Sequence, residues 1–349
     1  MRDERLNVAV IGCGGKARGH VRDLLKQPET NTIVVVSDPA PAAYEEMREV
    51  FASHDFAPPP NEPDLQTLLE TYGDELDAAI IVTPHAFHAD QAIRCLEAGL
   101  DVLLEKPMVV TADEARALIE TQRRTGGVLV VAFNGSLSPQ VREAARLLRS
   151  DELGRILSVS ATVWEGWASR YAGHWKQNPV LSGGGFMFDT GAHMLNTVTD
   201  LVGEEFLEVA AWLENNDSPV DVVGVVIGRL GSGALVTMNA CGAAIPSIGS
   251  TVDLYCTKGT LRTGIWGERL ELQRESETAL APVGVPTSIR VWDQFLAVRR
   301  GDLPNPSPAE VGLRMAKLWD AIRLSAEHGG ARVRVGDGTL ARESLSPNG

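Results

Sequence analysis

The chain of 349 residues is 44% hydrophobic and 22% charged, a balance that is typical of globular proteins and excludes an intrinsically disordered chain. At this length two domains are expected, because a single hydrophobic core rarely grows so large. The 32 Lys and Arg residues against 46 Asp and Glu leave a formal net charge of −14, which argues against nucleic acid or an anionic membrane as a partner.

The cysteines and the N-terminus narrow the class of protein further. Cys13, Cys95, Cys241 and Cys256 are widely spaced, which indicates neither a zinc site nor a disulfide framework, so no metal is expected. The apolar run after the charged N-terminus is too short for a secretory signal, and no run approaches the roughly 18 residues of a membrane span. We therefore expect a cytoplasmic protein.

Residues 1–131 alternate short β-branched runs with longer helical patterns, which predicts βαβ units and a Rossmann-type, doubly wound parallel sheet. The predicted strands are Asn7–Ile11, Thr32–Ser37, Ala78–Val82, Val102–Leu104 and Val128–Ala132. The predicted helices are Arg18–Lys26, Pro41–Phe51, Phe87–Ala98 and Ala112–Arg124. The proline-rich run 57–63 predicts a loop inside this domain.

Residues 132–349 differ, because apolar and polar residues alternate along their predicted strands. One helix, Pro139–Arg149, precedes the strands Ile156–Glu165, Phe206–Asn215, Val220–Leu230, Gly233–Ala240, Thr251–Cys256 and Arg269–Gln273. Two late helices and a final strand are predicted over Ser288–Arg300, Pro308–Glu327 and Arg332–Val335. The pattern predicts an α+β domain with a large, mostly antiparallel, open-faced sheet.

A glycine-rich loop follows the first strand directly. Its residues fit the pattern G-x-G-x-x-G/A and are Gly12, Cys13, Gly14, Gly15, Lys16 and Ala17. Small residues there allow a tight turn and the approach of a pyrophosphate to a helix N-terminus. Asp38 ends the second strand about 20 residues later, where a carboxylate accepts a ribose hydroxyl. No arginine follows it, so NAD is favoured over NADP, and Lys16 either neutralises the pyrophosphate or faces solvent.

Further motifs carry a family resemblance. They are Thr83-Pro84-His85-Ala86-Phe87-His88, an Ala98-Gly99 turn before Glu105-Lys106-Pro107, and Gly183-Gly184-Gly185 leading to Asp189 and His193. With them the chain resembles the Gfo/Idh/MocA family, named for glucose-fructose oxidoreductase and inositol dehydrogenase, over nearly its whole length. The resemblance implies an NAD(P)-dependent oxidoreductase, with further cofactor-binding residues at Thr83, Pro84, His85, His88, Glu105 and Lys106. His85 and Asn196 depart from the family, which commonly has Asn and often Asp at these positions.

Lys106 lies at the carboxyl end of a predicted parallel strand, where open α/β sheets bind ligands. An ammonium beside a substrate hydroxyl could hydrogen-bond the developing alkoxide. The resemblance implies that this lysine lies near the nicotinamide and the substrate hydroxyl, as a catalytic and substrate-binding residue.

An acid–base pair is predicted in the second domain. A single helix over Phe186–Val202 would present Asp189, His193 and Asn196 on one face. Histidine, with an ordinary pKa of about 6.5, suits the removal of a hydroxyl proton at neutral pH. Asp189 could orient His193, stabilise its imidazolium form or bind a substrate hydroxyl. The resemblance implies that Lys106, Asp189 and His193 form one catalytic constellation.

Aromatic residues are concentrated just before the glycine triple. Trp164, Trp167, Tyr171 and Trp175 fall within twelve residues, and flat aromatic faces suit the C–H faces of a sugar or cyclitol. With Arg170 and Lys176 they form the predicted substrate-binding segment. A loop pinned to its own domain, or a subunit contact, would also explain them. Four other tryptophans are predicted to be core residues: Trp212, Trp266, Trp292 and Trp319.

These features predict an NAD-dependent dehydrogenase that acts on a secondary hydroxyl of a sugar, cyclitol or related polyol, or runs the reverse reduction. Two alternatives are an NAD-dependent redox glycosidase of the same family and a non-catalytic nucleotide-binding regulator, which would be expected to lack the three catalytic groups. The open sheet of the second domain predicts a homodimer or homotetramer, as is usual in the family.

Overall fold

A computed structural model describes residues 5–336 and 339–340. The chain divides into two compact units: one holds the residues up to Ala132 together with Ile289–Gly312, and the other holds Phe133–Ser288 and the residues from Leu313 on. The sequence pattern places Ile289–Gly312 in the second domain, which the structure corrects. The segment packs on the first unit because Trp292 Nε1 donates a hydrogen bond to Thr30 Oγ1 at 3.0 Å.

The first unit is built on a parallel sheet. Its elements in chain order are β1 (Leu6–Ile11), α1 (Gly15–Leu25), β2 (Asn31–Ser37), α2 (Pro41–Ala52), α3 (Leu65–Tyr72), β3 (Ala78–Ile81), α4 (His88–Glu97), β4 (Asp101–Leu104), α5 (Ala112–Thr125) and β5 (Leu129–Val131). The strand order is β2-β1-β3-β4-β5, with all pairs parallel. Because parallel strands end at one edge of the sheet, the loops after β1, β2, β3 and β4 lie at that edge.

Burial explains why the strands of the first unit are continuous apolar runs. Helices cover both faces of a parallel sheet, so β3 is buried at every residue. Helix α1 packs its apolar side against β1, β2 and α2. Helix α5 begins at a capping box, in which Thr111 and Glu114 each accept a hydrogen bond from the other's backbone N–H.

The second unit holds a larger mixed sheet. Its elements are α6 (Asn134–Leu137), α7 (Pro139–Arg149), β6 (Ile156–Trp164), α8 (Trp167–Arg170), α9 (Pro179–Ser182), α10 (Phe186–Asp189), α11 (Gly191–Val202), β7 (Phe206–Glu214), β8 (Val223–Leu230), β9 (Leu235–Cys241), β10 (Gly249–Cys256), β11 (Gly259–Thr263), β12 (Leu270–Arg274), β13 (Ala281–Pro282), most of α13 (Ala309–Glu327), and β14 (Val333–Arg334). The helix α12 (Val291–Arg300) belongs to the first unit. The strand order is β13-β12-β11-β10-β6-β9-β8-β7-β14. Only the β6–β9 pair is parallel among these described strands.

One face of this sheet is covered and the other is open. Along β8 the residues alternate between exposed and buried, as expected for a strand with one solvated face. Helix α11 packs against β6, and nearly all of its side chains are buried. The predicted fold class, a parallel Rossmann sheet followed by a mostly antiparallel α+β domain, is therefore confirmed.

The sequence prediction lacks α3, three one-turn helices of the second unit (α6, α8 and α9), and the strands β11 and β13. Within residues 5–336 and 339–340 no helix is long and apolar enough to cross a membrane. In the same described ranges, no group of three or more His, Cys, Asp or Glu residues is arranged to hold a metal ion.

Candidate active site

The glycine-rich loop joins β1 to α1 in the first unit. Gly12 has a φ of 99° and lies so close to the next loop that an added Cβ would sit 2.5 Å from the carbonyl oxygen of Val82, so only glycine fits there. An added Cβ at Gly14 would meet open space among the described residues. Gly14 is the N-cap of α1 and carries no side chain that could cap it. The loop therefore leaves the N-terminus of α1 uncapped by a side chain, which is the geometry that the predicted pyrophosphate site requires.

Asp38 lies beside this loop, where its prediction as a ribose-binding residue requires it. Its Oδ2 accepts the backbone N–H of Cys13 at 2.7 Å, and its Oδ1 accepts that of Ala40 at 2.9 Å. Asn61 holds the Asp38 backbone from the other side, with distances of 2.9 and 3.0 Å. The proline-rich run around Asn61 predicts only a loop and gives no signal of this support.

Glu105 is the buried centre of a charged cluster at the end of β4. Its Oε1 lies 2.7 Å from Nε2 of His20 and 3.4 Å from Nζ of Lys16. Burial raises the pKa of Glu105, but the hydrogen bond and charge of His20, with the charges of Lys16 and Lys106, outweigh it and hold that pKa well below its usual range. Lys16 thus pairs with Glu105, and its side chain is 57% exposed.

Lys106 follows this buried anion directly and is half-buried. Its backbone N–H lies 3.2 Å from Glu105 Oε2 and donates to it. No sequence motif connects His20 with Lys106. The structure shows that α1, which follows the glycine loop, also fixes the carboxylate next to Lys106.

His88 connects the loops after β3 and β4. Its ring nitrogens lie 2.8 Å from the carbonyl oxygen of Pro107 and 2.9 Å from that of Thr83. The side chain has no exposed surface, and burial lowers the pKa of His88. The prediction of His88 as a cofactor contact is therefore corrected, because its fully buried ring instead joins the two loops through their backbone carbonyls. His85 is also buried, whereas Thr83 and Pro84 are half-buried at the same edge.

The predicted helix over Phe186–Val202 is in fact two helices. Thr190 separates α10 from α11, and the N–H of His193 donates to the Thr190 carbonyl at 3.0 Å. Glycine at position 191, a poor helix former, lies at this junction. Asp189 therefore ends one helix and His193 lies in the first turn of the next.

Asp221 fixes the start of α10, which the sequence analysis does not foresee. Its carboxylate accepts the backbone N–H groups of Gly185 at 2.7 Å and Met187 at 2.9 Å. Burial raises the pKa of Asp221 despite these bonds. An added Cβ at Gly185 would lie 2.0 Å from the Asp221 carbonyl oxygen. The last glycine of the triple is thus required by a close approach of two backbones.

Asp189 is buried and held by two side chains of the aromatic segment. Its Oδ2 accepts the indole N–H of Trp167 at 2.7 Å. Lys176 Nζ donates to Oδ1 at 3.0 Å and to Oδ2 at 2.7 Å. Trp167 has no exposed surface, which corrects its prediction as a substrate contact, because its ring packs inside the unit and its N–H binds Asp189. Lys176 likewise points to Asp189.

The other predicted substrate residues lie nearer the surface. Trp164 ends β6 and is half-buried, as is Trp175, whereas Arg170 at the end of α8 is exposed. The ring centroids of Tyr171 and His174 lie 5.5 Å apart, and the same distance separates His174 from Trp175. These contacts fold the segment onto itself.

His193 lies among aromatic rings. Its ring centroid is 5.9 Å from that of Phe133 and 5.8 Å from that of Trp266. Trp266 is half-buried and was predicted only as a core residue. Asn196 is fully buried and donates to Ser136 Oγ at 2.8 Å. It therefore contributes to the packing of α11 instead of facing a ligand beside His193.

Two family models match these two units. Residues 6–133 match the one described as "Oxidoreductase family, NAD-binding Rossmann fold", and residues 141–262 match the "GFO/IDH/MocA C-terminal domain". The chain belongs to the Gfo/Idh/MocA family. The predicted resemblance and the predicted NAD-binding Rossmann domain are thereby confirmed.

This Gfo/Idh/MocA chain is similar in sequence to several named proteins. Oxidoreductase P35 of Formosa agariphila is 28% identical over 66% of this chain and 71% of the relative. Levoglucosan dehydrogenase of Pseudarthrobacter phenanthrenivorans is 26% identical over 58% of this chain and 52% of its own length. For scyllo-inositol 2-dehydrogenase (NAD(+)) of Bacillus subtilis the values are 26%, 60% and 57%. The match thus spans little more than half of the latter two proteins.

Solved structures of the Gfo/Idh/MocA fold superimpose on nearly the whole chain. Levoglucosan dehydrogenase in complex with NADH and levoglucosan has a TM-score of 0.80 at 23% identity, over 95% of this chain and 99% of that one. The WlbA dehydrogenase of Bordetella pertussis, with NADH and UDP-GlcNAcA, has a TM-score of 0.80 at 21% identity, over 95% and 99%. At these identities the likeness establishes the shared fold.

Proposed function

We propose that the protein transfers a hydride between NAD and the carbon of a secondary alcohol in a sugar, cyclitol or related polyol. One observation carries the proposal. The buried carboxylate of Asp189, held by Lys176 and Trp167, precedes His193 by four residues in a chain whose first unit has an open glycine loop with Asp38 beside it.

NAD fits the residues of the first unit. The backbone N–H groups at the start of α1 would hold its pyrophosphate, and the carboxylate of Asp38 would accept its ribose hydroxyls. A 2′-phosphate in that place would meet the Asp38 anion, which favours NAD over NADP. When bound, NAD supplies the acceptor for the hydride that leaves the alcohol carbon.

Three side chains would act on the alcohol itself. The imidazole of His193 takes the hydroxyl proton, because neutral histidine is a base near neutral pH. The ammonium of Lys106 hydrogen-bonds the oxygen as negative charge develops there. Asp189 supports this site as a fixed negative charge. In the reverse direction His193 returns the proton to the oxygen of the ketone.

Two considerations favour a polyol as the substrate. The relatives named levoglucosan dehydrogenase and scyllo-inositol 2-dehydrogenase act, by those names, on an anhydrosugar and a cyclitol. The aromatic segment of this chain also presents half-buried rings at Tyr171 and Trp175, which suit the C–H faces of such molecules. The substrate class follows from these two considerations together.

A substrate panel tests the proposal. Inositols, aldoses and anhydrosugars are assayed for NADH and NADPH formation with the wild type, His193→Ala and Lys106→Met. We expect NAD-linked oxidation of at least one polyol and a loss of at least about 100-fold in kcat for each variant. Near wild-type turnover in both variants would contradict it. Sugar release from glycosides without net NADH would support the redox glycosidase, and cofactor binding without any turnover would support the regulator.

We also propose that two copies pair through the open face of the second unit's sheet. Strand register places five exposed residues on that face: Trp212, Val225, Ile227, Leu235 and Tyr255. A patch of this kind marks an association site more often than a free surface. Light scattering is expected to give a dimer or a tetramer, and Ile227→Glu is expected to give smaller particles. A monomeric wild type would contradict this proposal.

A further inference from the structure

We propose that Lys176 is a positioning residue: it holds the Asp189 carboxylate as a fixed anion and fastens the aromatic segment, residues 167–177, to helix α10. This inference rests on the proposed function. It differs from the sequence prediction, in which Lys176 binds oxygens of the substrate.

The geometry of the pair carries the first step. Lys176 Nζ lies 3.0 Å from Oδ1 and 2.7 Å from Oδ2 of Asp189, so one ammonium spans both carboxylate oxygens. The indole N–H of Trp167 occupies a further acceptor position on Oδ2 at 2.7 Å. The side chains of Asp189 and Lys176 are 2% and 20% exposed. A carboxylate that accepts three charge-assisted or N–H hydrogen bonds remains an anion and is oriented by them.

The surroundings of the ammonium carry the second step. Lys176 Nζ lies 4.4 Å from the ring centroid of Tyr171, within the range of a cation–π contact. The ring centroid of Trp175, the preceding residue, lies 6.0 Å from the same Nζ. The rings of the aromatic segment thus pack around the ammonium of Lys176, and the same ammonium binds the buried carboxylate of Asp189. Loss of the ammonium would leave Trp167 as the segment's remaining hydrogen bond to Asp189 and would leave a buried charge without its cationic partner.

The pairing of Lys176 with Asp189 determines which side chain accepts the hydroxyl proton. With its negative charge matched by Lys176, Asp189 does not serve as the proton acceptor, and His193 is left with that role. Since Lys176 acts through Asp189, its removal is expected to lower kcat while KM for the polyol changes little. A lysine that bound the substrate would instead raise KM.

The test compares Lys176→Met and Lys176→Arg with the control Lys258→Met, an exposed lysine elsewhere in the second unit. For Lys176→Met we expect a fall of about 100-fold in kcat, with NADH affinity unchanged. Lys176→Arg keeps the charge but not the geometry, and we expect it to keep about a tenth of the wild-type kcat. In Lys176→Ala, ethylammonium is expected to restore part of kcat. A rise in KM alone, or wild-type kcat in Lys176→Arg and Lys176→Met, would overturn the proposal.

A second readout does not depend on activity. The indole N–H resonance of Trp167, assigned with Trp167→Phe, reports its hydrogen bond to Asp189. It is expected to move in Lys176→Met and to stay in place in Lys258→Met; an unmoved resonance in Lys176→Met overturns the proposal. If Lys176→Met does not fold, the kcat and KM of Lys176→Arg decide. If the wild type oxidises no polyol, the proposed function fails, and the resonance still decides whether Lys176 positions Asp189.

Discussion

His20 and Glu105 are joined by a 2.7 Å contact between Nε2 and Oε1, which links the helix after the glycine loop to the residue before Lys106. Both side chains are at most about a tenth exposed. Because Glu105 is an anion buried among positive groups, its charge contributes to the stability of the first unit, and this contribution depends on pH.

Glu105→Gln tests that contribution. The pKa of Glu105 in the folded protein lies below its ordinary value of 4.5, so the folded state binds fewer protons than the unfolded state. The stabilisation is therefore fully present above pH 4.5 and is lost as the pH falls below it. The urea midpoint of unfolding should be higher for the wild type than for Glu105→Gln at pH 7. The difference between the two midpoints should shrink from pH 5 towards pH 3. A difference that is constant over this range would contradict the prediction.

Asp38→Asn tests the cofactor preference. The amide oxygen can still accept the N–H of Cys13, whereas the N–H of Ala40 loses its acceptor, and the negative charge that faces a ribose or a 2′-phosphate is removed. We expect NADH to bind about tenfold more weakly and the preference for NADH over NADPH to narrow. Fluorescence titrations with both cofactors measure this. Asn61→Ala, which weakens only the support of Asp38, is the matched control and should have a smaller effect; equal preference in wild type and Asp38→Asn would contradict the account.

Cys13 is expected to be chemically inert despite its place in the glycine loop. Burial, with the charge of Asp38, raises the pKa of its thiol to about 12, and burial raises that of Cys256 to about 11. Thiolates, not thiols, react with alkylating reagents. Mass spectrometry after iodoacetamide at pH 8 should find both residues unmodified in the folded protein and modified in urea. Rapid alkylation of Cys13 in the folded protein would contradict a buried thiol with a raised pKa.

Gly185→Ala tests the close approach that starts α10. The new Cβ would lie 2.0 Å from the Asp221 carbonyl oxygen, and backbone atoms must shift to admit it. We expect a loss of about 2 kcal/mol or more in the free energy of unfolding, together with reduced kcat because Asp189 ends this helix. Gly284→Ala, where an added Cβ meets no described atom within 4 Å, should stay within about 0.5 kcal/mol of the wild type. Equal stability of the two variants would contradict the prediction.

Much of the fold follows from the sequence because each pattern has one physical cause. Continuous buried apolar runs such as Ala78–Ile81 are typical of a parallel sheet covered on both faces, and the alternation along β8 is typical of a half-covered sheet. The segment Ile289–Gly312 could not be assigned in this way, because its place depends on contacts such as that of Trp292 with Thr30, far apart in sequence. The break at Thr190 likewise depends on local backbone contacts that a helical pattern does not reveal.

Only some residues of the candidate site could likewise be predicted from the sequence. Gly12 and Asp38 could be found because their spacing is set by the strand and loop that bear them. Partners contributed by distant residues, as in His20 with Glu105 or Asp221 with Gly185, leave no periodic signal. Lys176 could be found as a cation beside aromatic rings, but only the structure shows that it points to Asp189.

The central claim is tested most directly with a polyol that carries deuterium at the oxidised carbon. The wild type should transfer that deuterium to C4 of the nicotinamide, which NMR of the recovered NADH detects. His193→Ala should bind NADH as well as the wild type does and form the labelled cofactor at least about 100-fold more slowly. A wild type that oxidises no polyol, or a His193→Ala variant that transfers deuterium at the wild-type rate, would contradict the account.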